Sequence, residues 1–288
     1  MPEIDLHTHS TASDGTYSPK ELVELAIRKG LRALALTDHD TTAGLNTALN
    51  AARKGGLEFV PGCELSVVYP GTMHIVGLWI PPRAPILNKA LNDLREKRHN
   101  RNQIIVDKLA SLGIDITYDE VRELAGEASV GRPHLARVLV QKQAVDTVQQ
   151  AFDDFLGPKG QAYVPKEKLT PEKGIELLKK EGATVILAHP ITLDLDKKTL
   201  RRELTRLKQV GLDGMEVYYS EHPPKHTEMY RGLCQELDLL PSGGSDFHGA
   251  VKPDIHLGIG RGNLDIPYSL LETMKKRRRE QGLPVFDA

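Results

Sequence analysis

At 288 residues the chain is long enough for one large α/β barrel or two ordinary domains. A hydrophobic share of 40% and a charged share of 27% are those of a soluble globular protein. The net charge of −1 excludes a global positive field that recruits duplex DNA, so an anionic ligand must be attracted locally. Cys63 and Cys234 are too few for a disulfide framework or a thiolate zinc site, and a reducing, cytoplasmic setting is the simplest reading. The first residues lack a basic-then-apolar leader, and no apolar run reaches membrane-span length, so neither a signal peptide nor a membrane is expected.

The first short apolar run, Ile4-Asp5-Leu6, breaks into His7-Thr8-His9-Ser10 and a loop with Ser13-Asp14-Gly15. In an extended segment residues i and i+2 point the same way, so His7 and His9 can present two imidazoles on one side, with Asp14 arriving from the loop. Taken alone, this stretch fits a metal site or simply surface polar residues near a terminus. Ser18-Pro19 then opens a helix as N-cap and first helical residue, and Gly30 ends it. A strand over 31–37 ends in Asp38-His39-Asp40, and a helix over about 42–54 exits at Gly55-Gly56. A third strand, 57–64, ends in Glu64, and the next opens at His74. This alternation of strand and helix favours a parallel sheet or barrel.

From residue 85 to 165 strand signals are sparse and helical ones dominate: 87–112, a short helix opened by Thr117-Tyr118-Asp119-Glu120, another after Gly131-Arg132-Pro133-His134, and 145–156. The β/α rhythm returns with a helix from Thr170-Pro171 to Gly182 and a strand, 184–188, ending at His189-Pro190. A helix over 197–210 leads to the strand 214–218, and a helix over about 223–237 leads to a strand ending in Gly243-Gly244-Ser245-Asp246-Phe247-His248. The apolar segment 257–260 precedes a C-terminal helix whose basic run, 275–279, reads as a solvated helix end favoured by the macrodipole.

Polar residues fall at the strand ends. His7, His9, His39, His74, His189 and His248 are six of the 11 histidines, and Glu64 and Asp246 stand with them. Parallel barrels gather functional residues at the C-terminal ends of their strands, where the loops converge. The donors are nitrogen and oxygen without thiolate, which suits Zn, Mn or Fe. Glu64 can bridge two cations, and clustered cations generate hydroxide from water at neutral pH and screen phosphoryl oxygens, so metal-assisted phosphoester hydrolysis is the natural reaction. Asp38 and Asp40 can serve as hydrogen-bond partners of an imidazole or as a helix N-cap. Cys63 adjoins Glu64 on a strand and should point the other way, into core. His222, His226 and His256 read as surface or local packing.

These motifs, in this order over nearly the whole chain, resemble the PHP (polymerase and histidinol phosphatase) superfamily: His7-Thr8-His9-Ser10 with Asp14-Gly15, Thr37-Asp38-His39-Asp40, Gly62-Cys63-Glu64, His74, Ala188-His189-Pro190 and Gly244-Ser245-Asp246-Phe247-His248. The resemblance implies a distorted (β/α)7 TIM-like barrel holding two or three divalent metals. It implies His7, His9, Glu64 and Asp246 on the first metal, which would hold the attacking hydroxide. It implies His74, His189 and a shared Glu64 on the second, and Asp14, His39 and His248 on the third. It also implies that Asp14 faces the substrate. An oxygen donor at Asp14, where some relatives have histidine, favours Mn, with Zn or Fe as alternatives.

On this reading residues 1–84 and 166–288 form the barrel, and 85–165 form a helical insertion that contributes to the substrate site. The helix over 87–112 carries a face of Leu87, Leu91, Leu94, Arg98, Arg101, Ile105, Leu109 and Leu112, apolar except for its two arginines. Those arginines either snorkel at a packing edge or bind a phosphate through their planar forks. Asn102 can add a donor or read a base, and Arg132 and His134 offer a second basic point at a helix start. The insertion resembles that of nucleoside 3′,5′-bisphosphate phosphatases and of a related 5′→3′ exoribonuclease activity. The expected activity is release of the 3′-phosphate from a small bisphosphorylated nucleotide. Stepwise hydrolysis of a short RNA from its 5′ end, a histidinol-phosphate-type phosphatase, and a non-catalytic, metal-stabilised module are the rivals. No obligate protein partner is expected.

Overall fold

The structure is a computed structural model describing residues 2–81, 83–125, 130–165 and 167–285. The positions 1, 166 and 288, taken above as segment limits, lie outside the described residues. In chain order the elements are β1 (Ile4–Asp5), α1 (Pro19–Arg28), β2 (Ala33–Leu36), α2 (Leu45–Gly55), β3 (Glu58–Val67), β4 (Met73–Leu78) and α3 (Pro85–Ser111). The next are α4 (Tyr118–Ala125), α5 (Arg132–Gln141), α6 (Val148–Ala151) and α7 (Pro171–Lys180). The chain finishes with β5 (Thr184–Leu187), α8 (Lys197–Val210), β6 (Gly214–Tyr219), α9 (Pro224–Glu236), β7 (Leu240–Gly244) and α10 (Ser269–Glu280). They divide into two compact units, Met1–Asn88 with Leu169–Ala288, and Lys89–Lys168.

The first unit is a seven-stranded, nearly closed barrel with the strands in sequence order. The ring returns on itself where the Leu6 N–H donates to Gly243 O (3.2 Å) and the Asp246 N–H to His7 O (2.9 Å). Local chemistry starts its helices as expected. Ser18 and Glu21 form a reciprocal capping box on α1, Thr170 caps α7 and Asp196 caps α8. The barrel is filled by side chains such as Ile4, Ala35, Val60, Val76, Leu78 and Ile186, all buried. Burial on both faces is why its strands are continuous apolar runs rather than alternating ones.

A uniform parallel repeat is not what the chain builds. β4 runs antiparallel to both β3 and β5. The parallel ladder of β2 with β3 ends at Leu36–Pro61, and β3 then continues into the hairpin, so Glu64 is the seventh of ten strand residues rather than a terminal one. The antiparallel turn has a consequence for the site. It sets the beginning of β4 beside the end of β3, with Ser66 opposite His74, so a strand-opening histidine reaches the same end of the barrel as the strand-closing ones.

The basic run of α10 also departs from expectation. Lys275 and Arg278 are buried. Lys275 pairs with Glu58. The Arg278 guanidinium donates to Gly182 O (3.0 Å), Thr184 Oγ1 (2.9 Å) and Pro284 O (2.7 Å), and stacks on Trp79. The helix therefore closes the floor of the barrel through a buried cation.

The second unit packs its helices around Ile105, Leu109, Val121, Leu135, Leu139 and Leu156. The helix α6 passes into a π-helical turn, Phe152–Leu156. Leu112 falls past the end of α3 and is 42% exposed, so it does not belong to the buried stripe. No helix among the described residues is long and apolar enough to cross a membrane.

Candidate metal centre

Glu64 is the hub of the barrel end. Its Oε1 lies 3.0 Å from His74 Nδ1 and 3.0 Å from His189 Nε2. Its Oε2 lies 3.3 Å from His7 Nε2, 3.3 Å from His9 Nε2 and 3.0 Å from His39 Nδ1. Asp246 Oδ1 stands 3.1 Å from His9 Nε2 and 3.6 Å from His7 Nε2. Asp14 Oδ1 is 3.3 Å from His248 Nε2, and its Oδ2 is 3.9 Å from His39 Nε2. All nine ligand-type residues expected from the sequence are therefore in one cluster. Their donor atoms form three overlapping sets: His7, His9, Glu64 and Asp246; His9, Asp14, His39 and His248; and His39, Glu64 and His74. His39 stands in two of these sets, whereas the sequence reading paired His74 with His189.

Local backbone explains the convergence. Gly244 lets the end of β7 press against β1, since a Cβ there would come 2.2 Å from the His7 Cβ. Gly15 lets the Asp14 loop fold back, since a Cβ there would meet His9 O at 2.5 Å. His189 (φ 24°) and Asp246 (φ 57°) both occupy the left-handed region, which costs a non-glycine residue roughly 1–3 kcal/mol and concentrates at functional sites.

The polar atoms of this cluster do not satisfy one another. His7 Nε2, both ring nitrogens of His9, His39 Nδ1 and Glu64 Oε2 are buried without a hydrogen-bond partner. Buried polar groups are ordinarily paired, and leaving them unpaired costs about 1–3 kcal/mol each. Divalent cations taken up between imidazole nitrogens and carboxylate oxygens would relieve His7 Nε2, His39 Nδ1, Glu64 Oε2 and one nitrogen of His9, so the donor set fits such ions. Cys63, buried on the opposite face of β3, contributes no thiolate, because burial pushes its pKa well up. Burial opposes the charge on Glu64, but His39, His7 and His74 outweigh it and hold its carboxyl well below the usual range. Burial likewise opposes protonation of His9, and Asp246 and Glu64 overcome it, raising its pKa to about 9.

Several supporting groups were not legible in the motifs. Asp38 serves neither His39 nor a helix cap; it accepts from Ser10 N–H (2.7 Å), Ser10 Oγ (2.7 Å) and Ser13 Oγ (2.6 Å), which pins the loop that carries Asp14. Asp40 Oδ1 accepts from the Ser66 N–H. Tyr219 Oη and Lys252 Nζ donate to Asp246 Oδ2 at 3.2 and 2.6 Å, leaving Oδ1 toward the histidines. Glu216 accepts from His7 and from the His189 backbone. Its only signal was an acidic residue inside an apolar strand run. His222 is buried between Tyr219 and Tyr230, and His256 is exposed.

In the second unit Arg101 is buried and does not snorkel; its Nη2 donates to Asn102 Oδ1 (2.7 Å) while its Nε is unpartnered. Burial, then the charges of Arg132 and Arg98, push its pKa down. Asn102 Nδ2 donates to Val130 O, and Arg132 Nη1 donates to Leu156 O with its guanidinium over Tyr163. His134 Nδ1 accepts from the Gly131 N–H, capping α5.

The family model described as the PHP domain matches residues 5–156. A 5′-3′ exoribonuclease of Haemophilus influenzae is 38% identical over 275 residues, covering 95% of this chain and 98% of the relative. A 3′,5′-nucleoside bisphosphate phosphatase of Chromobacterium violaceum is 34% identical over 250 residues, covering 86% and 88%. A solved structure from Bifidobacterium adolescentis, provisionally described as a metal-dependent phosphoesterase, superposes with a TM-score of 0.74 at 31% identity and covers 96% of this chain and 98% of that one.

Proposed function

This chain belongs to the PHP domain family, and from that premise we propose that it is a metal-dependent phosphoric ester hydrolase that removes the 3′-phosphate of nucleoside 3′,5′-bisphosphates. The observation that carries the proposal is the set of buried imidazole and carboxylate atoms around Glu64 that converge without a hydrogen-bond partner. Two or three divalent ions, Mn first and Zn or Fe as alternatives, are assigned to His7, His9, Asp14, His39, Glu64, His74, His189, Asp246 and His248. When bound, such ions supply Lewis acidity toward a phosphoryl oxygen and acidify the water they hold.

The protein's own residues do the rest. Glu64 turns one oxygen toward His74 and His189 and the other toward His7, His9 and His39, so a single carboxylate could serve two ions. His248 donates a hydrogen bond from Nδ1 to Asp246 O (2.8 Å), which turns its Nε2 toward Asp14. Tyr219 and Lys252 hold Asp246 by its outer oxygen. Arg98, Arg101 and Arg132 form a phosphate-binding group with His134 and Asn102. Arg101 Nε is buried without a hydrogen-bond partner, and guanidinium forks match phosphate oxygens. The Chromobacterium relative supports the small-nucleotide reading. The Haemophilus relative supports a second reading, stepwise hydrolysis of short RNA from a 5′ end by the same centre.

The test is a substrate panel with metal-reconstituted protein: adenosine 3′,5′-bisphosphate, adenosine 3′-monophosphate and a short 5′-phosphorylated RNA. The bisphosphate should have the highest kcat/KM. Arg98→Ala should lower that value about 10- to 100-fold, the worth of one charge-assisted contact, with little change for the monophosphate. Equal losses on both would remove the role assigned to Arg98, and mononucleotide release from RNA as the best reaction would replace the first reading with the second.

A further inference from the structure

Glu216 lies in the middle of β6 and is 2% exposed. A carboxylate so placed is costly unless each oxygen is used. Here Oε1 is 3.2 Å from His7 Nδ1, and Oε2 accepts from the backbone N–H of His189 at 2.7 Å. An ionised carboxylate only accepts, so the His7 proton must sit on Nδ1. In the neutral ring, the form that can ligate, that leaves Nε2 of His7 bare, facing Glu64 Oε2 at 3.3 Å and Asp246 Oδ1 at 3.6 Å, and buried without a hydrogen-bond partner. His189 has a left-handed backbone (φ 24°, ψ 63°), and Glu216 grips the N–H of that same residue. Its ring then presents Nε2 to Glu64 Oε1 at 3.0 Å and is steadied at Nδ1 by Thr192 Oγ1.

We propose that Glu216 is a positioning residue that selects the ligating tautomer of His7 and the ligating backbone of His189 together. One carboxylate thereby couples a donor at the end of β1 to a donor at the end of β5. The inference rests on reading the cluster as a metal centre but not on any choice of substrate. Partners of this kind, which fix the ring proton of a ligating histidine, typically matter 10- to 100-fold in metal affinity.

Glu216→Gln separates this role from simple filling of the core. The amide has one accepting oxygen for two donors. The His189 N–H cannot relocate, so it keeps the oxygen, and the amide NH2 then faces His7 and drives its proton to Nε2. The experiment titrates metal-free wild type and variant with Co²⁺, reading affinity by chelator competition and ligand field by the visible absorption of the saturated protein. The variant should bind about 10- to 100-fold more weakly and show shifted d–d bands, with an unchanged far-ultraviolet circular dichroism spectrum. Wild-type affinity and an unchanged spectrum in the variant would overturn the assignment, even if its melting temperature fell. If the glutamine protein does not fold, Glu216→Asp, which keeps the charge but withdraws both oxygens by a methylene, takes the same two readings with the same outcomes for and against. Absence of Co²⁺ binding by the wild type would instead overturn the metal-centre reading itself.

Discussion

His9 shows how protons and cations compete for the same atoms. Both ring nitrogens are buried, Nε2 stands 3.3 Å from Glu64 Oε2 and 3.1 Å from Asp246 Oδ1, and these carboxylates raise its pKa from 6.5 to about 9. Burial works against the charge on His7 too, and Glu64 and Glu216 raise its pKa well above the ordinary value. Metal-free protein at pH 7 therefore carries protons where ions would bind, and metal uptake must expel them. Calorimetry in buffers of different ionisation enthalpy should find net proton release per ion bound, and affinity should weaken as pH falls from 8 to 6. The linkage sign for the metal-free form is opposite. A raised folded-state pKa contributes stability that is whole below the unfolded value of 6.5 and is lost as pH rises through 9. Chelator-treated protein should accordingly melt several degrees lower at pH 10 than at pH 7; a flat profile would mean that these rings are neutral without metal. At this scale the six histidines of the cluster stood out because histidines rarely gather at strand ends by chance, and the resemblance to a known family added Asp14 to them. Glu216 and Tyr219 did not, because a polar residue inside an apolar run declares nothing about its partner until the neighbouring strands are placed.

Among the elements, those with chemical punctuation were the readable ones. Ser18-Pro19 and Thr170-Pro171 carry their own caps, and α1 and α7 begin where those residues require. The orientation of β4 carries no such mark. Its apolar pattern is the same in either direction, and only the short connection from Val67 to Met73, too brief for a crossover helix, separates a hairpin from a parallel return. The basic end of α10 misled for a related reason: a run of like charges is ordinarily solvated, yet the helix turns Arg278 inward beneath Trp79. Arg278→Ala should remove the bonds to Gly182, Thr184 and Pro284 and leave a cavity under the barrel floor. A loss of about 2–5 kcal/mol is expected, measured by urea denaturation. Metal affinity should be unchanged, since the residue lies at the floor rather than among the ligand-type side chains. A fall in metal affinity equal to that of Glu216→Gln would show the floor and the metal end to be coupled.

Over the whole molecule, two chemistries are divided between two compact units. The barrel unit concentrates imidazoles and carboxylates, while the helical unit buries a guanidinium, that of Arg101. The near-neutral net charge conceals both, because each is a local departure from an even balance. A helical interruption of the β/α rhythm was visible as a loss of strand signal. The burial of Arg101 was not, because snorkelling and anion binding place arginine at the same sequence positions. On the function proposed above, the cluster around Glu64 holds catalytic divalent ions for phosphoester hydrolysis. The most direct test of this central claim is phosphate release from adenosine 3′,5′-bisphosphate by protein stripped with chelator and then titrated with Mn²⁺, with bound metal counted in the same samples. Activity should be absent in stripped protein and rise in proportion to bound metal, and His9→Ala should lose metal and activity together. Full activity in the stripped protein, or in His9→Ala with its metal content intact, would contradict the account.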